Sequence, residues 1–215
     1  MPITTYSELQ QAIADWMNRA DLSATIPNFI ANAEARLNRR IRCRAMETST
    51  SLSLNTEGQA TLPSDYLEWR FLTVATSPAS VPEFVEPDSP EFQYRHRPYA
   101  PPQYFSIMGT TIQVRPAHNG SATLYYYQKI PALSGSVTTN WLLAKSPETY
   151  LYAALIEGAI YLRDEAAAAN YTELMVSAVD ELLQEDRAGR NRRNPTPPLA
   201  PASKTMDMIA MGGAR

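Results

Sequence analysis

Residues 147–186, PETYLYAALIEGAIYLRDEAAAANYTELMVSAVDELLQED, are the stretch that decides the fold. Apolar residues recur in it every three or four positions, which is the spacing of one buried face of an α-helix. The first series is Tyr150, Ala154, Gly158 and Tyr161, and the second is Tyr171, Leu174, Met175, Ala178 and Leu182. The stretch therefore predicts a C-terminal pair of helices that begins near Pro147 and ends near Asp186.

The N-terminal segment predicts a second pair of helices. Thr5-Tyr6-Ser7-Glu8 has the composition of a capping box, in which a hydroxyl and a carboxylate bind the first free amide groups of a helix. The next helix tolerates Pro27 in its first turn, and its apolar stripe runs from Ile26 to Ile41. Neither pair can cover its stripe alone, so we expect the two pairs to form one four-helix bundle.

The residues between the two pairs have strand-like patterning. Alternation and turn residues predict strands over residues 51–54, 59–62, 70–76, 104–108, 111–115 and 122–128, and a short helix over residues 90–94. Residues 55–58 suit a four-residue hairpin turn, while Gly109-Thr110 and Asn119-Gly120 suit tight turns. We therefore expect the last three strands to pair in sequence as a meander.

The predicted fold class is α+β. Residues 1–45 and 146–187 form the four-helix bundle, and residues 46–145 form an inserted antiparallel β region with hairpins. Residues 188–215 form an extended basic tail rich in proline and methionine.

Composition limits the classes of function. The chain has 215 residues, a net charge of −3 and one cysteine, Cys43, which excludes an intrachain disulfide and a cysteine-based metal cluster. The N-terminus lacks the pattern of a signal peptide, and no apolar run approaches the roughly 20 residues that span a bilayer. We expect a soluble protein that is made in a cytoplasm and has no membrane partner.

The C-terminal tail predicts a docking segment. From Arg187 onward there are six basic side chains against Asp207 alone and no aromatic residue, so the segment is expected to be disordered in isolation. Its prolines keep it extended, and methionines at its end adapt to irregular grooves on a partner. The predicted docking residues are Arg187, Arg190, Arg192, Arg193, Leu199, Lys204, Met206, Met208, Ile209 and Met211.

The second helix carries five arginines within residues 36–44. Arginine suits bidentate pairing with carboxylates of another subunit, and we assign this inter-subunit role to Arg36, Arg39, Arg40 and Arg42. Plain solvation and contact with DNA phosphates are the alternatives.

Residue types that carry out catalysis are sparse in the sequence. His96 and His118 are isolated, and the carboxylates of residues 164–165 and 180–186 are expected on the polar sides of helices. Cys43 lies between two arginines, which could lower its pKa, but a structural thiol is the favoured interpretation. We therefore predict neither an enzyme nor a cofactor.

Three segments resemble one known family. Residues 29–42, FIANAEARLNRRIR, leading to Met46, resemble the second helix of head-to-tail adaptor (connector) proteins of tailed bacteriophages. Residues 62–69, LPSDYLEW, are similar to that family's turn into its β region, and residues 150–162 resemble its third helix. A two-helix end followed by an arginine-rich tail also fits, whereas residues 78–102 are unmatched.

The resemblance implies a ring, commonly of twelve copies, beneath the portal ring of the capsid. It implies that the C-terminal segment reaches the portal, that the distal region receives the next tail or nozzle protein, and that DNA passes through the channel without sequence-specific binding. Such a protein belongs to the neck or tail of the virion. Two other classes stay open from the residues alone: a peptidoglycan hydrolase that uses carboxylates, and a small DNA-binding module that uses the Arg36–Arg44 helix.

Overall fold

The computed structural model describes residues 3–94 and 100–191, apart from the side chains of Ala20, Arg190 and Asn191. The helices are α1 (Tyr6–Met17), α2 (Ile26–Arg40), α3 (Pro90–Gln93), α4 (Trp141–Lys145), α5 (Pro147–Leu162) and α6 (Glu165–Asn191). The strands are β1 (Glu47–Leu54), β2 (Gln59–Thr61), β3 (Tyr66–Val74), β4 (Glu83–Phe84), β5 (Tyr104–Met108), β6 (Thr111–Arg115) and β7 (Gly120–Gln128). The predicted α+β class is confirmed.

Local sequence signals place the helix ends. The capping box forms as predicted: the Glu8 amide donates to Thr5 Oγ1 at 3.3 Å, and the Thr5 amide donates to Glu8 Oε2 at 2.9 Å. Pro27 and Pro147 lie in the first turns of α2 and α5, where a missing N–H costs nothing. Helix α6 continues past Asp186 to Asn191, so Arg187 and Arg190 are helical.

Helix α5 lies at the centre of the helical part, and α1, α2 and α6 all pack against it. Buried residues occupy most sides of α5, because its sequence offers almost no polar face. Contacts between Glu34 and Tyr150 and between Phe29 and Tyr161 show that α2 and α5 are antiparallel. A two-residue turn joins α5 to α6, which makes that pair antiparallel as well. Helices α2 and α6 consequently run in the same direction.

The strands form two sheets that share a second hydrophobic core. One sheet is antiparallel with the order β1-β7-β3, and the other has the order β2-β6-β5-β4, in which β4 is parallel to β5. Leu72 and Leu124 from the first sheet pack in the same cluster as Phe105 and Val114 from the second. The two sheets therefore face each other as a small sandwich.

The predicted meander is wrong. Strands β5 and β6 pair as expected, but β7 leaves for the other sheet and pairs with β1 over eight residues and with β3. Pro116 follows β6 directly and has no N–H for a ladder, and the chain crosses between the sheets at residues 116–119. The period of a strand specifies which face is buried, but it does not specify the neighbouring strand.

The turn at residues 55–58 is confirmed, but the strands that it joins also separate into the two sheets. The amide of Gly58 donates to the Asn55 carbonyl at 2.9 Å. Gly58 has a φ of +75°, and a Cβ there would lie 2.9 Å from the Val114 carbonyl oxygen. Glycine is therefore required where this turn passes from one sheet to the other.

Candidate assembly surfaces

The arginines of the α2 end divide into paired and exposed groups. Arg36 Nε donates to Glu157 Oε1 of α5 at 3.0 Å, and Arg42 Nε donates to Glu68 Oε2 of β3 at 2.6 Å. Arg39 and Arg40 are exposed, and neither forms an ion pair with any residue that the structure describes. Of the four arginines predicted to contact other subunits, Arg39 and Arg40 therefore have the freedom to do so without breaking an internal ion pair.

The ends of α2 and α6 border a cationic cleft of about 310 Å³. Its lining residues are Arg40, Arg42, Tyr127, Leu183, Asp186 and Arg187. The structure thus brings together Arg40 and Arg187, which the sequence analysis assigned to two separate functions. A cleft with three guanidinium groups favours an anionic group, such as a partner's carboxylate.

Asp186 holds the end of α6 beside the start of β1. Its Oδ1 accepts from Arg44 Nε at 2.9 Å and from the Arg44 amide at 3.3 Å, and the Asp186 side chain is largely buried. Gly189 packs against the Arg44 guanidinium one turn further on. The C-terminal end of α6 therefore lies at the junction between the helical part and the β sandwich.

Most of the predicted docking residues follow that junction. Arg187 is exposed, and Arg190 belongs to α6, although its side chain is not described. The others lie outside the described residues: Arg192, Arg193, Leu199, Lys204, Met206, Met208, Ile209 and Met211. Their docking role stays a prediction.

An apolar groove marks the other end of the helical part. Trp16 and Met17 of α1, Leu162 of α5 and Tyr171 of α6 line it, and Trp16 is 51% exposed. The Trp16 ring makes an edge contact with Tyr152, with centroids 6.0 Å apart. Its spacing from Leu9 and Ile13 places Trp16 on the apolar face of α1, but half of its surface is accessible.

The outer face of the β1-β7-β3 sheet carries an aromatic pair. Phe71 and Tyr125 stack with their ring centroids 4.1 Å apart, and Phe71 is 42% exposed. Arg70 lies beside them, pairs with Glu47 and places its guanidinium 5.4 Å from the centroid of Tyr127. An exposed aromatic pair with a cation beside it has the composition of a protein contact surface.

A buried carboxylate joins α2, α5 and the loop after β7. Glu34 is 7% exposed, and its Oε1 accepts from the Leu133 amide at 2.7 Å and from the Tyr150 hydroxyl at 3.3 Å. Asn140 Nδ2 donates to Tyr150 Oη at 2.6 Å and to the Pro131 carbonyl at 2.7 Å. Burial raises the pKa of Glu34, and the two hydrogen bonds counter this effect. The network fixes residues 131–140 against the helices.

Sequence analysis missed Glu34, although a signal was present. Glu34 stands four positions after Ile30 and three before Leu37, within the apolar stripe of α2. A carboxylate in such a stripe indicates a buried polar contact.

The other residues that the sequence analysis considered for catalysis are one cysteine and two histidines. Burial raises the pKa of Cys43, which is 3% exposed, so the geometry disfavours the reactive thiolate. His118 lies in the half-exposed loop between β6 and β7, and His96 lies outside the described residues. Within residues 3–94 and 100–191, no three histidine, cysteine or acidic side chains are grouped so that they could hold a metal ion.

The helices of the described ranges include none with both the length and the apolar content needed to cross a membrane. The fold consists of a helical core and a β core joined at one end, and it exposes cationic, aromatic and apolar surfaces. These features define the class of a subunit that acts through contacts with other proteins.

The chain belongs to the SU10 adaptor protein family, whose family model matches residues 4–198. This is a family of bacteriophage head-to-tail adaptors, which confirms the resemblance found in the sequence. Its members are structural components of the virion that assemble with portal and tail proteins. Comparison with curated proteins gave no match.

Proposed function

We propose that this protein is the ring-forming adaptor between the portal and the tail of its phage. Copies of the chain, twelve in our proposal, form a ring beneath the portal, and DNA passes through the central channel. The observation that carries the proposal is the family match over residues 4–198. Docking to the portal, ring formation and the passage of DNA are the parts that need experiments.

In this proposal, α1, α2, α5 and α6 act as a four-helix bundle that forms the wall of the ring. A cyclic ring requires two different complementary faces on each subunit. The exposed guanidinium groups of Arg39 and Arg40 support one such face, because they have no intrachain carboxylate within the described residues. Arg36 and Arg42 support it indirectly, since their ion pairs with Glu157 and Glu68 fix α2 against its neighbours.

The tail after α6 docks to the portal in this proposal. Met206 stands fifteen positions after Asn191, and an extended proline-rich chain advances about 3 Å per residue, so the apolar end reaches roughly 45 Å from Asn191. That reach is enough to cross a neighbouring subunit. The basic residues would pair with acidic side chains of the portal, and Met206, Met208, Ile209 and Met211 would fill an apolar groove on it.

The β sandwich carries the next tail component. It projects from the end of the helical part where β1 begins, and the exposed Phe71 and Tyr125 pair supplies a rigid aromatic surface for a protein partner.

A DNA-binding module based on residues 36–44 is the less supported alternative. Arg36, Arg42 and Arg44 are held by Glu157, Glu68 and Asp186, so contact with phosphate would require these ion pairs to break. The chain also carries a net charge of −3, which does not favour a general affinity for nucleic acid.

Deletion of residues 194–215 tests the docking step. The deletion begins after α6, so the helical core should remain folded. We expect the truncated protein to have a circular dichroism spectrum close to that of the full chain and no co-sedimentation with portal rings of the same phage. Undiminished binding of the truncated protein would refute the docking role of the tail.

A matched control separates the contribution of charge from that of apolar contacts. One variant replaces Met206, Met208, Ile209 and Met211 with serine, and the other replaces Arg192, Arg193 and Lys204 with serine. If the apolar end occupies a groove, the first variant should lose portal binding at every salt concentration. The second should bind more weakly than the wild type at low salt, and this deficit should shrink as salt increases, because salt screens the charges that the substitutions remove.

A further inference from the structure

Helices α2 and α6 present different faces to the outside. On α2, the residues that point away from the core include the small residues Ala31 and Ala35 and, at the basic C-terminal end, Arg39. On α6, they include Leu174, which is 44% exposed, and Glu181. Between residues 165 and 186 the sequence has no lysine or arginine, so the outer face of α6 is acidic.

Both faces point away from α5, because α2 and α6 each bury their opposite side against that helix. They are therefore exposed surfaces of the subunit, here called the α2 flank and the α6 flank. Arg39 and Glu181 have no ion pair within the described part of the chain. The two flanks carry opposite charges and complementary shapes, small on one side and projecting on the other.

The two flanks also match in height, which here means position along the axes of α2 and α6. Helices α2 and α6 run in the same direction, and their C-terminal ends border the same cleft. Arg40 and Leu183, which line the same cleft, differ by 143. With a rise of about 1.5 Å per residue in both helices, the same offset applies along their length. Arg39 is then level with about residue 182, Ala35 with about residue 178, and Ala31 with about residue 174.

We propose that the outer face of α2 in one copy packs against the outer face of α6 in the next copy. Arg39 pairs with Glu181 and Asp180, and Leu174 packs against Ala31. In a cyclic ring, neighbouring copies are related by rotation with no translation along the axis. Groups that meet must therefore lie at the same height, and both contacts satisfy this condition when α2 and α6 run along the axis. The inference rests on the proposed ring and names the surfaces that build it.

Charge disfavours the pairing of two α6 faces. Two α6 faces would place acidic side chains opposite each other, and DNA phosphates would be repelled by the same face. A contact between unlike faces is heterologous, which is the kind that closes into a ring of many copies and not into a two-fold dimer.

Charge reversal tests the proposed pair. Arg39→Glu and Glu181→Arg each place like charges at every interface, and we expect each single variant to lower ring assembly at least tenfold. The double variant restores opposite charges and should recover most of the assembly. Native mass spectrometry of the full chain, alone and with the portal of the same phage, measures the oligomers. Both positions are exposed, and circular dichroism checks that each variant is folded.

A pair of engineered cysteines tests the height. Ala35→Cys combined with Ser177→Cys should give a ladder of covalent oligomers on oxidation, because a disulfide needs Cα atoms within about 7 Å. Ala35→Cys combined with Gln184→Cys is the control, since Gln184 lies on the same face of α6 about 10 Å further along. The native Cys43 is buried and should not contribute.

The outcomes separate this inference from the function on which it rests. Rings whose formation is insensitive to both charge reversals, or a double variant that stays as defective as the single ones, would overturn the α2–α6 interface and leave the adaptor ring in place. Equal ladders from the two cysteine pairs would overturn the proposed height. If the wild-type chain forms no ring with the portal, the proposed function itself fails and this inference fails with it.

Discussion

Replacement of Glu34 should separate its hydrogen-bonding role from the cost of its charge. In Glu34→Leu, the side chain keeps a similar volume but no longer accepts from the Leu133 amide or the Tyr150 hydroxyl. Tyr150 still accepts from Asn140 Nδ2, but its own O–H and the Leu133 amide have no other acceptor among the described residues. An unsatisfied buried donor costs about 1–3 kcal/mol, so we expect the free energy of unfolding to fall by at least that amount.

Glu34→Gln keeps a carbonyl oxygen as the acceptor and removes the charge. Because burial raises the pKa of Glu34 in the folded state, the folded state binds the proton more tightly than the unfolded state does. The wild-type protein therefore loses stability as pH rises from the carboxyl pKa of the unfolded chain to the higher pKa of the folded one. At pH 7.5, Glu34→Gln should equal or exceed the wild type in stability, and below the unfolded-state pKa it should have no advantage.

Urea denaturation followed by tryptophan fluorescence, at pH 4 and pH 7.5, measures both effects. For a protein of this length, each kcal/mol corresponds to about 2–4 °C in Tm, so thermal melts provide a second readout. If Glu34→Leu is as stable as the wild type, the carboxylate does not hold the loop. If the free energy of unfolding of Glu34→Gln at pH 7.5 is lower than that of the wild type by more than about 1 kcal/mol, the charge of Glu34 stabilises the fold. That result would contradict the destabilising contribution that we assign to the charge.

Two further predictions concern positions remote from this network. Gly58→Ala should lower the free energy of unfolding by about 1–3 kcal/mol, because φ is positive there and a Cβ would meet the Val114 carbonyl. Gly135→Ala is the control, since a Cβ at Gly135 would lie in open space and should change the stability little. Equal thermal melts of the two variants would contradict this prediction. Cys43 should react with a thiol reagent only as the protein unfolds, because it is buried and its pKa is raised, and rapid labelling of the native protein would show that the thiol is accessible.

Much of the secondary structure follows from local patterns. The predicted limits of β5 and β6 agree with the structure, and the helical period located α1, α2, α5 and α6. These signals depend on residues within a few positions of each other, so a single sequence contains them. The helix end that was misplaced, that of α6, has no glycine or proline at the predicted stop, and the chain continues as a helix to Asn191.

Strand pairing and charge partners were harder to predict, because they join residues that are distant in sequence. Strand β7 pairs with β1 and β3 and not with the adjacent β6, since the turn after β6 carries the chain across to the other sheet. Arg36 and Glu157 are 121 positions apart, and no local rule selects that carboxylate over others. The cationic cleft was missed for the same reason, as Arg40 and Arg187 meet only after α2 and α6 have packed on α5.

The bond between Asp186 and Arg44 has a mechanical consequence. Any pull on the segment beyond Asn191 acts first on the last turns of α6, which this bond anchors three residues before β1 begins. The load then passes into β1 and, through its eight-residue ladder, into β7 at the middle of its sheet. Tension applied to the segment beyond Asn191 is thereby delivered to the sandwich without first unravelling the part of α6 that precedes Asp186.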